Sequence, residues 1–188
     1  FCYICIMDIN IELDKFNNIK FFDKDHIYTI RDRKITSTTS VIHKFQEEFD
    51  TEYWANRKAE EKNIDVEDIK KEWKFKNRHA IMEGKTLHTF IENYFNNKIT
   101  PYPKEEIIAE FGYDAIKDTY KIMEEQFLSF AKDVKNVLIP IRSEVVVGDE
   151  EIGICGMVDM LFYNKKMEEY QLWDWKTSTR IRRRSYFN

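Results

Sequence analysis

Three polar side chains near the carboxyl end of the chain could do chemistry together. Asp159 closes the run Gly156-Met157-Val158-Asp159 in an apolar stretch, and Asp174 and Lys176 follow in Trp173-Asp174-Trp175-Lys176-Thr177-Ser178. In an extended strand, residues i and i+2 project from one face roughly 6 to 7 Å apart. Asp174 and Lys176 are therefore expected on one side of the backbone, and Trp173 and Trp175 on the other. Two carboxylates suit a hard divalent cation such as Mg2+ or Mn2+, while an ammonium beside them can orient a water or offset charge building on a phosphate. This is the minimum set for metal-assisted phosphodiester hydrolysis. A structural ion-pair network uses the same residue types, so neither Asp159 nor the Asp-x-Lys pair decides alone.

The elements that must position these groups follow from hydrophobic patterning. An extended run from Ile141 to Val147, a strand from Ile152 to Tyr163 and a third from Tyr170 to Lys176 are joined by short polar turns. They predict a three-strand antiparallel meander. The middle strand is apolar on both faces, which predicts a central, covered position and makes Asp159 an anomaly that needs a partner. Upstream, Ile19 to Ile30 alternates around Asp23-Lys24-Asp25, as a hairpin does. Thr36 to Ser40 offers several N-caps for a short helix reaching Phe49. Charged helices are expected from Thr51 to Asn63 and from a cap at Asp65 through Trp73.

A more pointed helix is expected from Arg78 to Asn97, where Ile81, Met82, Leu87, Phe90, Ile91, Tyr94 and Phe95 recur at helical spacing. Gly84, His88 and Glu92 fall four apart and share a stripe of it. A glycine inside a helix costs about 1 kcal/mol relative to alanine, which predicts a close approach of backbone or ligand at Gly84. Thr100-Pro101-Tyr102-Pro103 ends this helix, and the amphipathic stretch from Lys104 to Lys135 follows, split at Gly112.

At 188 residues and 43% hydrophobic, the chain can bury a core, and one compact domain spanning 1–188 is expected. Residues 1–7 are set aside as not native to the fold, with Met7 as the alternative start, because the chain begins with Phe1 rather than Met. No apolar run approaches the roughly 18 to 20 residues of a membrane span, so an intracellular, soluble protein with no membrane partner is expected. The net charge of -4 does not mark a nucleic-acid binder in bulk. Arg180, Arg182, Arg183 and Arg184 nevertheless make a local basic patch that suits DNA phosphates, with a solvated tail as the alternative. Cys2 and Cys5 are too few ligands for a closed zinc site, and Cys155 is expected in the core.

Taken in order, His88 on a helix, Glu144 on a strand, Gly156-x-x-Asp159 and Asp174-x-Lys176 resemble the PD-(D/E)XK nuclease superfamily, in its RecB-like and phage-exonuclease-like branch. The resemblance covers roughly Ile19 to Ser178. It implies an α+β fold with a restriction-endonuclease-like core, a central mixed sheet carrying the meander, flanking helices and helical additions at the amino end. It makes Asp159 and Asp174 the acidic metal ligands, Lys176 the catalytic lysine, His88 the helical ligand, and the main-chain carbonyl of Trp175 the completion of the shell. Glu144 matches a glutamate of the first core strand, for which a catalytic role and a salt bridge both stand open. Glu92 is equally open.

The implied activity is Mg2+- or Mn2+-dependent hydrolysis of DNA by an exonuclease of recombination, repair or replication. Two alternatives stand beside it. One is a structure-specific endonuclease with the same catalytic residues, the other a nonenzymatic nucleic-acid-binding or assembly domain that keeps the fold. Lys85 departs from the threonine common in these nucleases. Their pattern also continues past the lysine motif into a helix bearing Gln-x-x-x-Tyr, so the chain is expected to be incomplete at its carboxyl end. An iron-sulfur cluster, carried by additional cysteines in some relatives, is left open.

Overall fold

The computed structural model describes residues 9, 12–22, 25, 27–98, 101–112 and 119–177. The chain divides into two compact units: Phe1–Ile69 with Ala131–Asp174, and Lys70–Phe130 with Trp175–Asn188. In chain order the elements are β1 (Ile19–Phe22), β2 (Ile27–Ile30), β3 (Arg33–Ser37), α1 (Thr38–His43), α2 (Thr51–Lys62), α3 (Val66–Phe95), α4 (Glu105–Phe111), α5 (Thr119–Val134), β4 (Leu138–Asp149), β5 (Ile154–Asn164) and β6 (Glu169–Trp173). No helix among the described residues is long and apolar enough to cross a membrane.

The first unit is built on one mixed sheet in the order β1-β2-β3-β5-β4, with β6 also paired to β5. Among the described strands only β3 and β5 run parallel, and β4, β5 and β6 form the expected antiparallel meander. The fold is accordingly α+β. β2 and β3 are joined by a two-residue turn. Arg31 and Asp32 both take positive φ, 47° and 64°, the pair of conformations that a two-residue hairpin turn needs to match strand twist. That turn lets Ile35, buried in the core, pair with Tyr28, so the segment expected to supply only helix caps begins as a strand. Ser37 then caps α1, its hydroxyl accepting from the Ser40 N–H at 3.0 Å, and α1 ends at His43 rather than Phe49.

Among the described residues, two hydrophobic clusters hold this unit. Ile19, Tyr28, Ile30, Ile35 and Cys155 form one, and Leu13, Val145 and Leu161 the other. Phe162 is fully buried on β5 and meets the edge of Trp173 at a ring separation of 5.7 Å. Burial also raises the Cys155 thiol above its usual range, in keeping with a packing role.

In the second unit, the rings of Phe90, Tyr102 and Phe127 are buried beside the aliphatic side chains of Leu87, Ile91 and Ile107. Phe127 of α5 contacts Phe90, Tyr94 and Phe95 of α3, all at near-perpendicular ring angles, and Phe90 also meets Tyr102. Such edge-to-face contacts contribute about 0.5–1.5 kcal/mol each beyond area burial. The two helices expected at Asp65–Trp73 and Arg78–Asn97 are one helix of 30 residues. Lys74-Phe75-Lys76-Asn77 contains no proline or glycine, so nothing there stops propagation. Gly112 does end α4, with φ 82°.

Two glycines test the packing in opposite senses. A Cβ at Gly148 would lie 2.8 Å from Ile19 Cδ1, 2.9 Å from Cys155 Cβ and 3.0 Å from the Ile154 carbonyl, whereas a Cβ at Gly84 would meet nothing within 4 Å. Among the described residues, no backbone or side chain of the protein makes the close approach expected at Gly84. Gly148→Ala should lower the unfolding free energy by about 1–3 kcal/mol through overpacking. Gly84→Ala should raise it by about 0.5–1 kcal/mol through helix propensity. Urea titrations followed by circular dichroism check both, and a Gly148→Ala midpoint at or above that of the parent contradicts the packing described.

Candidate functional site

In the first unit the site begins with the β4–β5 ladder. Ser143 stands opposite Met160 and Val145 opposite Val158, which sets Glu144 against Asp159. Both side chains are half-buried. Their nearest carboxylate oxygens lie within 4.8 Å of one another. Two oxygens bound about 2.1 Å from one cation sit about 3 Å apart when adjacent and about 4.2 Å apart when opposite, so a small side-chain adjustment brings both to a single ion.

Holding this pair has a cost. Glu144 takes φ 48°, the left-handed region, in the middle of a strand. For a residue with a Cβ this costs on the order of 1–3 kcal/mol, and like charges facing across a ladder add to it. The charge of Glu144 also reaches the core. The Tyr28 hydroxyl is raised above its usual range chiefly by burial, then by the Cys155 thiol and by Glu144.

The motif glycine before Asp159 has a steric reason. The parallel pairing of Thr36 with Ile154 and Ser37 with Cys155 carries Thr38 across β5, and a Cβ on Gly156 would come within 2.9 Å of the Thr38 hydroxyl. Gly156 therefore serves the crossing of β3 into α1.

Asp174 was expected on a strand, yet β6 ends at Trp173. Trp173 pairs with Met160, so one further step of the same ladder points Asp174 toward the level of Asp159. The alternation anticipated from spacing persists past the strand. Asp174 and Lys176 are exposed, and Trp173 and Trp175 half-buried. The Asp174 carboxylate does not join Glu144 and Asp159 within the 4.8 Å range.

In the second unit, α3 presents His88 half-buried, with Nε2 3.1 Å from the main-chain carbonyl oxygen of Trp175. In the neutral tautomer carrying its proton on Nε2, the ring donates to that oxygen. The same 3.1 Å is also the separation of adjacent donors around a cation with bonds of about 2.2 Å. The Trp175 ring is fixed by edge contacts with Phe127 and Phe130, at 6.1 and 5.7 Å between centroids, which steadies the carbonyl beside it. Glu92, one turn beyond His88, accepts from the Asn96 side-chain amide at 3.5 Å. Lys85 is exposed. Arg180, Arg182, Arg183 and Arg184 lie outside the described residues, as do Cys2 and Cys5.

Sequence reasoning passed over one further polar pair in this unit, His79 and Glu83. Their side chains sit one helical turn apart, with His79 Nδ1 3.4 Å from a Glu83 oxygen. Burial raises the Glu83 carboxyl above its usual range, with His79 opposing the shift. Among the described residues, His79 Nε2 is buried with no hydrogen-bond partner. The i, i+4 spacing was visible in the sequence, but its burial depends on Phe111, whose ring meets His79 at 5.0 Å from another helix.

No family model, curated protein or solved structure matches the chain. The chemistry of the site must be argued from its own donors.

The backbone of Glu144 offers a direct check. In buffer free of divalent cations, Glu144→Gly should stabilise the protein by about 1 kcal/mol, because glycine accepts φ 48° without strain and the facing charge is removed. Thermal and urea unfolding measure this. A clear loss of stability would mean that the Glu144 side chain supports the fold instead of straining it.

Proposed function

We propose that the chain is a metal-dependent deoxyribonuclease of the PD-(D/E)XK kind, in the RecB-like and phage-exonuclease-like branch, acting on DNA ends. One observation carries the reading most. A glutamate held in a strained backbone conformation faces an aspartate across the central ladder, their carboxylates within 4.8 Å. Strain and like-charge proximity kept together in one place are characteristic of sites built for a ligand.

The donor set fits a hard divalent cation. Carboxylate oxygens and a main-chain carbonyl suit Mg2+, and an imidazole widens the choice to Mn2+. In this reading Asp159, Asp174, His88 and the carbonyl of Trp175 would hold the ion, with Glu144 as the adjoining carboxylate. When bound, such an ion supplies Lewis acidity at a phosphoryl oxygen and a more acidic water. The chain's own side chains do the rest. Glu144 accepts a hydrogen bond from the attacking water and lines it up with the phosphorus. Lys176, whose exposed side chain has no core-packing duty, would offset the charge that grows on the phosphate oxygens. In the absence of an ion, His88 steadies the Trp175 carbonyl that follows Asp174. The arginines from Arg180 to Arg184 add positive charge for the DNA backbone.

The test uses end-labelled linear duplex, closed circular duplex and single-stranded DNA, each with Mg2+ or Mn2+. Degradation of linear but not circular DNA is expected. Asp159→Asn and Lys176→Ala should each reduce the rate by about a hundredfold or more while leaving the melting temperature of the protein nearly unchanged. Cleavage of circles would move the reading to an endonuclease. DNA binding with no cleavage would select the nonenzymatic scaffold. An unchanged rate in Lys176→Ala would remove the lysine from the mechanism.

A further inference from the structure

A second feature of the first unit has no part in this chemistry. Every residue from Ile42 to Trp54 is exposed, although five of them are large and apolar. Phe45 is 87% exposed, Phe49 63%, Tyr53 54%, Ile42 51% and Trp54 40%. Helix α1 buries no residue, and α2 buries only Ala55 and Ala59. The large rings thus lie outward while two methyl groups do the packing.

The rings are ordered among themselves. Phe49 and Trp54 are nearly parallel, 7° apart at 6.4 Å between centroids, and Tyr53 meets Trp54 edge-on at 5.1 Å. The Arg57 guanidinium sits over the Trp54 ring at 5.4 Å. Asp50 caps α2, accepting from the Tyr53 N–H at 2.9 Å, and so fixes the bend that brings Phe49 to Trp54. Contiguous apolar exposure of this kind marks an interaction surface more often than an ordinary solvated face.

Charge narrows the partner. From Lys44 to Trp54, one ammonium accompanies the carboxylates of Glu47, Glu48, Asp50 and Glu52. That field opposes nucleic-acid phosphates and attracts cations. Aromatic faces add attraction for a guanidinium or ammonium, as the Arg57–Trp54 contact already illustrates within the chain.

We propose that Phe45, Phe49 and Trp54 form a docking surface for a basic segment of a partner protein. Its apolar side chains seat on the rings, and its lysines or arginines face Glu47 and Glu48. This surface is independent of the metal chemistry. Calorimetric titration of the full chain with a short leucine–arginine peptide, a leucine–glutamate peptide and a thymidine oligonucleotide tests it. The basic peptide alone should bind. Its affinity should fall about tenfold or more in Phe45→Ser/Phe49→Ser and again in Glu47→Gln/Glu48→Gln, both with the parent's melting temperature because the altered side chains are exposed. Three results would each overturn the proposal: undiminished peptide binding by both double variants, oligonucleotide binding that is lost in Phe45→Ser/Phe49→Ser, or a dimer in sedimentation that the same variant dissolves.

Discussion

The antiparallel ladder between β4 and β5 is the constraint on which the account depends. It pairs the chain from Leu138 opposite Asn164 to Asp149 opposite Ile154, and in its middle it sets Glu144 against Asp159. A slip of one residue would send every side chain of a strand to the other face, so the register that buries Val145 and Leu161 is the same register that brings the two carboxylates together. Packing on either side of the pair thus fixes a geometry that the pair's own electrostatics oppose. The left-handed backbone at Glu144 is tolerated because a long ladder over-determines it.

Much of this was legible because strand patterning is local. The meander could be read from three apolar runs separated by short polar turns, and Asp159 stood out as a charge in the most apolar of them. The hairpin around Asp23-Lys24-Asp25 was legible for the same reason. What escaped notice depended on backbone conformation or on distant contacts. Nothing in the residue types announces φ 48° at Glu144. The turn at Arg31-Asp32 lacks the Asn-Gly or Asp-Gly signature usual for its conformation, so β3 was hidden behind apparent helix caps. Gly84 is the opposite case, since a mid-helix glycine suggests a close neighbour and a Cβ there would meet no protein atom within 4 Å.

The Asp-x-Lys pair shows where spacing arguments hold and where they stop. Its alternation survived even though the strand ended one residue earlier, because exposure of Asp174 and Lys176 and partial burial of Trp173 and Trp175 follow from side-chain polarity as much as from ladder pairing. Spacing could not say how near Asp174 comes to the other carboxylates. That depends on how the chain leaves β6, and Trp175, held by Phe127 and Phe130, belongs already to the second unit.

The central claim is that Asp159, one of the two facing carboxylates, serves to hold a divalent cation. Calorimetric titration of the metal-free protein with Mn2+, in parallel with Asp159→Asn, tests it most directly. The account predicts a saturable heat for the parent that disappears in Asp159→Asn while the variant stays folded. Absence of binding in the parent, or an equal heat in Asp159→Asn, would contradict it.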